Sequence, residues 1–242
     1  MDRGSNPLVK INESDCELCY ACVRACPVKA ITVRVNQDYP YINPERCIGC
    51  GDCLKACSPG AIVYRDEKEL VKSLIASGDT AALIDPSISG EFDDITDYRK
   101  FVEMIRALGF KYVNETSFGV DIVARKYKEL VEKEQGKYFI SANCPAIVDY
   151  VEKYRPELID NIAPIEPPMV AMAKIVREKY GKGLSTVFIG PCIDAKKDAL
   201  RYDGSGQINA TITFVELREL FEEFSIDEKA VHYSDFDAPV GY

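Results

Sequence analysis

The sequence has no tryptophan, a single histidine and no long hydrophobic run. The histidine, His232, lies in an acidic, polar tail, and one histidine without partner ligands makes neither a zinc site nor an acid–base pair. No apolar run reaches the length of about 20 residues that a membrane helix needs, and Met1–Ser5 lacks the apolar core of a signal peptide. We therefore expect a cytoplasmic protein, in a compartment that keeps thiols reduced.

The sequence also has fewer positive than negative charges. The 30 lysines and arginines are outnumbered by 39 aspartates and glutamates, which gives a formal net charge of −9. Such a surface repels a nucleic-acid backbone, so nucleic acid is disfavoured as a partner. The acidic balance suits a redox partner protein that presents a basic patch, although it also serves plain solubility.

Cysteine, by contrast, is abundant in one stretch of the chain. Eight of the ten cysteines lie between residues 16 and 57, in two runs with the spacing C-x2-C-x2-C-x3-C. This spacing is typical of bacterial iron–sulfur proteins, in which the fourth cysteine of each run ligates the other cluster. Zinc sites use cysteine pairs with longer gaps, and disulfide frameworks belong to secreted proteins, so both alternatives are disfavoured.

The cysteine pattern therefore predicts two [4Fe–4S] clusters as cofactors. Cluster 1 is assigned to Cys16, Cys19, Cys22 and Cys57. Cluster 2 is assigned to Cys47, Cys50, Cys53 and Cys26. Each cluster would take up and release single electrons, and the backbone N–H groups around it would help to set its potential.

The same stretch is an internal repeat with an offset of 31 residues. Each half reads as a cysteine loop, a short helix and a β-strand, the strands being predicted at Ile31–Val35 and Ala61–Tyr64. The turn-rich segment 36–44 joins the halves. This arrangement resembles the bacterial dicluster ferredoxin fold, an α+β architecture.

Beyond residue 66 the pattern changes to alternating strands and helices. The predicted strands are Ala81–Ile84, Lys111–Val113, Tyr138–Ser141, Thr186–Ile189 and Ile208–Ile212. Predicted helices cover 97–108, 118–135, a segment opening at Cys144-Pro145, a segment that starts at Pro167-Pro168 and runs to Tyr180, and a segment from the cap Thr213 to Phe224. This alternation predicts an α/β domain with a mostly parallel sheet. We thus expect a dicluster ferredoxin-like domain at 1–66, a linking helix at 67–79 and an α/β domain at 80–242.

Two further cysteines, Cys144 and Cys192, lie in this second domain. Each is predicted just past the carboxyl end of a strand and at the start of the following helix. That edge of an open α/β sheet is where ligands bind, and a helix N-terminus favours a thiolate. The alternative is a pair of buried, inert thiols, because free cysteine packs like a small hydrophobic residue.

The surroundings of both cysteines resemble the [FeFe]-hydrogenases. Asn143-Cys144-Pro145 resembles the family signature T-S-C-C-P, and Pro191-Cys192 with Lys196 resembles P-C-T-A-K-K. The resemblance implies that Cys144 and Cys192 are ligands of a third cluster, the catalytic H-cluster in that family. It also implies that Asn143 and Lys196 line the same site.

The departures from the family pattern bear on activity. Asn143 stands where the family has its proton-relay cysteine, Lys196 is displaced by one inserted residue, and no cysteine follows Cys192 in the sequence. Three hypotheses remain open. The protein is a sensory or regulatory electron-transfer relative of the hydrogenases, a fragment of a hydrogen-metabolising enzyme, or a ferredoxin-type electron carrier with a docking domain.

Overall fold

The computed structural model describes residues 7–35 and 38–238. The first residues of the chain, Asn36 and Gln37 of the predicted connecting segment, and the end of the acidic tail lie outside the described residues. The chain divides into two compact units. The first contains residues 1–65, 144–162 and 192–198, and the second contains 66–143, 163–191 and 199–242.

The secondary structure follows the chain in short elements. The strands of the described residues are β1 (Val9–Ile11), β2 (Ile31–Thr32), β3 (Tyr41–Ile42), β4 (Ile62–Tyr64), β5 (Thr80–Ile84), β6 (Tyr112–Glu115), β7 (Ser185–Gly190) and β8 (Ala210–Thr213). Their α-helices are α1 (Ala21–Ala25), α2 (Asp52–Ala56), α3 (Lys68–Ser77), α4 (Ile88–Glu91), α5 (Tyr98–Ala107), α6 (Ser117–Lys133), α7 (Pro145–Tyr154), α8 (Pro168–Tyr180), α9 (Ala195–Asp198) and α10 (Phe214–Glu223). Within the described ranges, no helix combines the length and the apolar character needed to cross a membrane.

The first unit contains the cysteine repeat. Strand β1 pairs antiparallel with β4, and β2 pairs antiparallel with β3, so each short strand finds its partner in the other half of the repeat or in the segment that joins the halves. Strand β2 ends at Thr32, three residues earlier than predicted, because Val33 and Val35 are exposed and have no core to pack against. The core is small and apolar, and it includes Val9, Ile31, Ile48, Ile62 and Ile193.

The second unit is built on a four-stranded sheet in the order β6-β5-β7-β8, in which all neighbours are parallel. Central strand β5 is buried along its whole length, as a continuous apolar run in a parallel sheet should be. Helices α3, α5 and α10 share one apolar core with the sheet, while α8 packs on β5. The predicted architecture, a ferredoxin-like domain followed by an α/β domain with a parallel sheet, is confirmed.

The predicted strand Tyr138–Ser141 is wrong, because the structure contains only an isolated bridge at Ile140. The segment lies at the surface, with Tyr138 68% exposed, and therefore has no buried face that would hold it in the sheet. The hydroxyl of Tyr127 accepts a hydrogen bond from the Ala142 N–H instead.

The predicted cap of α10 is present. The hydroxyl of Thr213 accepts a hydrogen bond from the Glu216 N–H at 3.2 Å, and the Glu216 carboxylate accepts one from the Thr213 N–H at 2.7 Å. This reciprocal pair satisfies two N–H groups that a helix start would otherwise leave without partners.

Candidate iron–sulfur centres

The two cysteine loops have the same backbone shape but different side chains. Three non-glycine residues of the first half lie in the left-handed region, and each is replaced by a glycine 31 residues later. The pairs are Leu18 (φ 56°) with Gly49 (φ 75°), Tyr20 (φ 55°) with Gly51 (φ 80°), and Lys29 (φ 52°) with Gly60 (φ 73°). Because only glycine takes this conformation without a steric penalty, the first half carries strain that the second half avoids.

The four cysteines assigned to cluster 2 line one small cavity. Cys26, Cys47, Cys50 and Cys53 all face it, together with apolar side chains and the loop glycines. Burial raises the pKa of Cys53 to about 12, and the negative charges of the Cys47, Cys50 and Cys26 thiolates add to the rise. Thiolates this close together need bound positive charge, which an iron–sulfur core supplies.

Three of the cysteines assigned to cluster 1, Cys16, Cys22 and Cys57, also lie near one another. Burial raises the pKa of Cys22, and the neighbouring Cys57 and Cys16 thiolates raise it further. Cys19, the fourth residue of this set, is exposed in its loop. The structure thus brings Cys57, from the second cysteine run, next to residues of the first run, as the sequence pattern predicts.

The donor set fits clusters rather than single ions. None of the ten cysteines, all of which lie in the described residues, forms a disulfide bond. Nowhere in residues 7–35 and 38–238 do three metal-binding side chains come close enough to hold one metal ion. A cluster with an iron at several corners accepts thiolates that are spread around a larger body, so the spacing and the chemistry of these residues both suit it.

Cys144 and Cys192 both belong to the first unit and are both exposed. Cys144 is the N-cap of α7, and Cys192 lies two residues after the end of β7. The prediction that Cys144 follows a sheet strand is wrong, since residues 138–141 are not a strand. The two segments are nevertheless joined, because the Ala146 N–H donates to the Asp194 Oδ2 atom at 3.2 Å.

The loop that carries Cys47 and Cys50 contacts the segment that follows Cys192. A Cβ atom added to Gly49 would lie 3.2 Å from the Asp194 Cβ atom and 2.9 Å from the Leu8 Cδ2 atom. A Cβ atom on Gly51 would lie 3.8 Å from the Ile193 Cδ1 atom. Gly49 therefore permits a close approach that a side chain at this position would hinder, whereas a Cβ atom at Gly51 would make an ordinary contact.

Helix α7 holds the same loop from its C-terminal end. The Lys153 ammonium donates to the Cys47 carbonyl oxygen at 2.5 Å, and the Tyr154 hydroxyl donates to the Arg46 carbonyl oxygen at 2.7 Å. Cys144 lies at the other end of this ten-residue helix. Both candidate third-cluster ligands are thus on segments that contact the cluster 2 loop.

Charged groups gather beside this loop. The buried Asp149 carboxylate forms ion pairs with Lys197 and, at 3.6 Å, with Lys153. Burial lowers the pKa of Lys153, and the positive charge of Lys197 lowers it further. Burial also raises the pKa of Asp194, whose Oδ1 atom has no hydrogen-bond partner in the structure.

Asn143 and Lys196 were both predicted at the third site. Asn143 is exposed, and its N–H donates to the Ser141 hydroxyl at 3.3 Å. Lys196 is completely buried in the first unit, with its Nζ atom 5.7 Å from the centre of the Tyr64 ring. Their roles at a third metal site stay a prediction.

Family comparisons agree with these features. Residues 79–242 match the model of the iron-only hydrogenase large subunit, C-terminal domain. The chain belongs to this family. Residues 15–61 match a 4Fe-4S dicluster domain, so this iron-only hydrogenase relative contains two [4Fe–4S] clusters in its N-terminal part.

Relatives of two kinds are similar to this hydrogenase-family chain. A NADP-reducing hydrogenase subunit from Solidesulfovibrio fructosivorans is 23% identical over 97% of the chain and 40% of its own length. A cytosolic Fe-S cluster assembly factor from Kluyveromyces lactis is 28% identical over 53% of the chain and 28% of its own length. The chain therefore spans less than half the length of these two relatives.

Solved structures give the same fold. A variant of the [FeFe]-hydrogenase HydA1 from Chlamydomonas reinhardtii superposes with a TM-score of 0.61 at 24% sequence identity. The match covers 73% of this chain and 52% of that one. At this identity the likeness concerns the fold of the hydrogenase-family chain, and its activity is a separate question.

Proposed function

We propose that this iron-only hydrogenase relative is an electron relay with a sensory or regulatory role. Electrons enter from a redox partner protein at cluster 1, held by Cys16, Cys19, Cys22 and Cys57. They pass to cluster 2, held by Cys26, Cys47, Cys50 and Cys53, and from there to a third metal site for which Cys144 and Cys192 provide two ligands. Each cluster, when bound, supplies one-electron redox chemistry.

One observation carries this order of sites. The segments 144–162 and 192–198 fold into the same compact unit as the cysteine repeat, and they contact the loop of Cys47 and Cys50. Lys153 and Asp194 fix that loop from two sides, and each is on the same segment as one of the two candidate ligands. The loop therefore contacts the segments that carry the two cysteines, which supports a relay to a site at these residues.

A regulatory role is supported by Asn143, which aligns with the proton-relay cysteine of the family signature. The side-chain amide of Asn143 does not titrate, so it cannot deliver a proton as the cysteine of the family signature does. Hydrogen formation consumes protons, whereas electron exchange with a partner needs no proton at this position. The proposal therefore assigns the protein to redox sensing and not to rapid hydrogen production.

Iron counting tests the relay. Protein purified without oxygen and reconstituted with iron and sulfide should contain about eight irons if it binds only two clusters and about twelve if Cys144 and Cys192 hold a third. The double variant C144S/C192S should then lose about four irons and keep the electron paramagnetic resonance signals of the other two clusters. An equal iron content in parent and variant would remove the third site from the proposal.

A second candidate function is a role in cytosolic iron–sulfur cluster assembly. It is favoured by the similarity to the assembly factor from Kluyveromyces lactis. In this alternative the cluster at Cys144 and Cys192 would be labile and would be transferred to an apo-protein. Loss of about four irons to an apo-ferredoxin acceptor, without loss from the C144S/C192S variant, would favour assembly over the relay.

A further inference from the structure

The first cysteine loop retains side chains where its repeat partner has glycine. Leu18 and Tyr20 flank Cys19, and both adopt the left-handed conformation that Gly49 and Gly51 adopt in the second loop. A sterically unfavourable backbone that persists at a defined place is a reason to look for a function there. The second loop shows that the same turn can be built from glycine, so the two side chains are not required by the turn.

Both residues are partly exposed to solvent. Leu18 is 40% exposed and Tyr20 is 37% exposed, and the Cys19 thiol between them is exposed as well. The equivalent glycine of the second loop, Gly49, is buried against Leu8 and Asp194. Apolar side chains beside an exposed cluster ligand give a partner direct access to the place where electrons would enter.

The residues that precede this apolar pair are acidic, whereas Arg24, whose guanidinium donates to the Cys19 carbonyl oxygen at 3.2 Å, places one positive charge beside the loop. Glu13, Asp15 and Glu17 are all exposed in the seven residues that lead to Cys19. The chain as a whole has a net charge of −9. An interface with an apolar centre and an acidic rim complements a partner with an apolar centre and a basic rim.

We propose that Leu18 and Tyr20 form the docking surface for a redox protein whose contact face is basic. The inference rests on the proposed relay, because it places electron entry at cluster 1. Glu13, Asp15 and Glu17 accelerate the encounter through their charge, and the two apolar side chains hold the partner against the Cys19 loop. Removing the side chains therefore weakens docking without disturbing the fold of the loop.

The probe is mitochondrial-type cytochrome c, a basic electron acceptor. The protein is reduced with dithionite, freed of reductant and mixed with the cytochrome in a stopped-flow instrument at several salt concentrations. The double variant L18G/Y20G should show a second-order rate constant lowered by about tenfold, the effect of losing one or two interface anchors. Its iron content and its resonance signals should equal those of the parent.

Two control variants separate docking from other effects. K29G makes the same replacement at a left-handed position that carries no apolar side chain, and V35S removes an exposed apolar side chain outside the loop. V35S should keep the parental rate constant, and K29G, which also removes one positive charge, should not lower it. An equal fall in V35S would show a nonspecific effect and would overturn the assignment to Leu18 and Tyr20.

Other outcomes are equally decisive. An unchanged rate constant in L18G/Y20G with full iron content would refute the docking surface and leave the relay intact, whereas a parent protein without iron would refute the relay. If L18G/Y20G loses iron, the pair L18A/Y20A is measured instead and must show the same fall. Concentration-dependent sedimentation that disappears in L18G/Y20G while the cytochrome rate persists would assign the surface to a second copy of the chain.

Discussion

The two cysteine loops share a backbone and differ in what surrounds them. In the first loop, Leu18 and Tyr20 are partly exposed and flank the exposed Cys19. In the second, a Cβ atom added to Gly49 would lie 3.2 Å from the Asp194 Cβ atom, and one added to Gly51 would lie 3.8 Å from the Ile193 Cδ1 atom. The comparison shows how one repeated unit can serve two purposes, since the presence or absence of a side chain decides whether a loop faces a partner or its own chain.

The side chains of the first loop carry a cost. A left-handed residue other than glycine costs roughly 1–2 kcal/mol, and the first half has this conformation at Leu18, Tyr20 and Lys29. The second half avoids the cost and gains contacts with the segment after Cys192. Exchanging residues between the halves therefore tests both the backbone cost in the first half and the contacts in the second half.

The largest effect is expected from Gly49→Leu, which places the residue of the first loop in the second. Its Cβ atom would lie 2.9 Å from the Leu8 Cδ2 atom and 3.2 Å from the Asp194 Cβ atom, at a φ of +75°. Overpacking costs about 1–3 kcal/mol, and the left-handed backbone adds about 1–2 kcal/mol. We expect the variant to lose the iron of cluster 2, as measured by iron analysis and by denaturant unfolding.

Gly60→Lys is the matched control for this substitution. It also introduces the residue of the first half at a left-handed position, but a Cβ atom at Gly60 has nothing within 4 Å. It should retain all its iron. If Gly49→Leu behaved like Gly60→Lys, the contact with Asp194 would have no part in holding the second loop.

The next effect concerns the link between the second loop and Cys144. Asp194→Ala removes the acceptor of the buried Ala146 N–H at the start of α7. A buried N–H without a partner costs about 1–3 kcal/mol. We expect a lower free energy of unfolding, with Cys144 reacting faster with a thiol reagent because its turn is no longer fixed.

Asp194→Asn keeps an acceptor oxygen and provides the control. It should restore most of the stability and the slow reaction of Cys144. Equal destabilisation by alanine and asparagine would instead assign the effect of Asp194 to its charge.

The sequence predicts the repeat and the fold class, but not the contacts that distinguish the two cysteine loops. The repeat, its eight cysteines and the alternating elements of the α/β region are local patterns, and the fold class follows from them. The contacts of Lys153 and Asp194 with the second loop were not predicted, because more than 100 residues separate them from that loop in the chain. The glycines at positions 49 and 51, opposite Leu18 and Tyr20 in the repeat, were an available signal for a close approach.

The predicted strand at 138–141 failed for a related reason. Its short apolar run fits a strand, but burial depends on tertiary neighbours that the local pattern does not contain. The predicted domain boundaries stay a prediction. The structure adds that residues 144–162 and 192–198 form one compact unit with the repeat, an association between segments distant in the sequence that no local pattern indicates.

The charges beside the second loop should affect the reduction potential of one cluster. Lys153 donates to the Cys47 carbonyl oxygen, while the first loop is preceded by exposed carboxylates. A nearby positive charge favours the reduced cluster, so Lys153→Gln should lower one of the two reduction potentials. A threefold to tenfold change in the equilibrium constant, about 30–59 mV for one electron, is expected in a redox titration followed by electron paramagnetic resonance.

Asp149→Asn should shift the same reduction potential in the opposite direction. It removes the buried negative charge between Lys153 and Lys197, so the same potential should rise. Lys153→Arg keeps the charge and should leave the potential close to that of the parent. A shift of both potentials by equal amounts would show that the charge acts on the whole repeat and not on the second loop.

The smallest effect is expected from the exposed pair Lys29 and Gly60, where contacts play little part. Lys29→Gly removes the cost of a left-handed backbone, about 1–2 kcal/mol. It also stabilises the unfolded chain by about 0.4–1 kcal/mol, because glycine has more conformational entropy there. The free energy of unfolding should therefore rise by about 0.5 kcal/mol in a denaturant titration, and Gly60→Lys should lower it by a similar amount. A rise in the free energy of unfolding for Lys29→Gly together with an equal fall for Gly60→Lys would show that the two halves differ at this pair by backbone strain alone. Destabilisation by Lys29→Gly would mean that the Lys29 side chain contributes more than its backbone costs, and the strain ascribed to the first loop would then have to be measured separately at Leu18 and Tyr20.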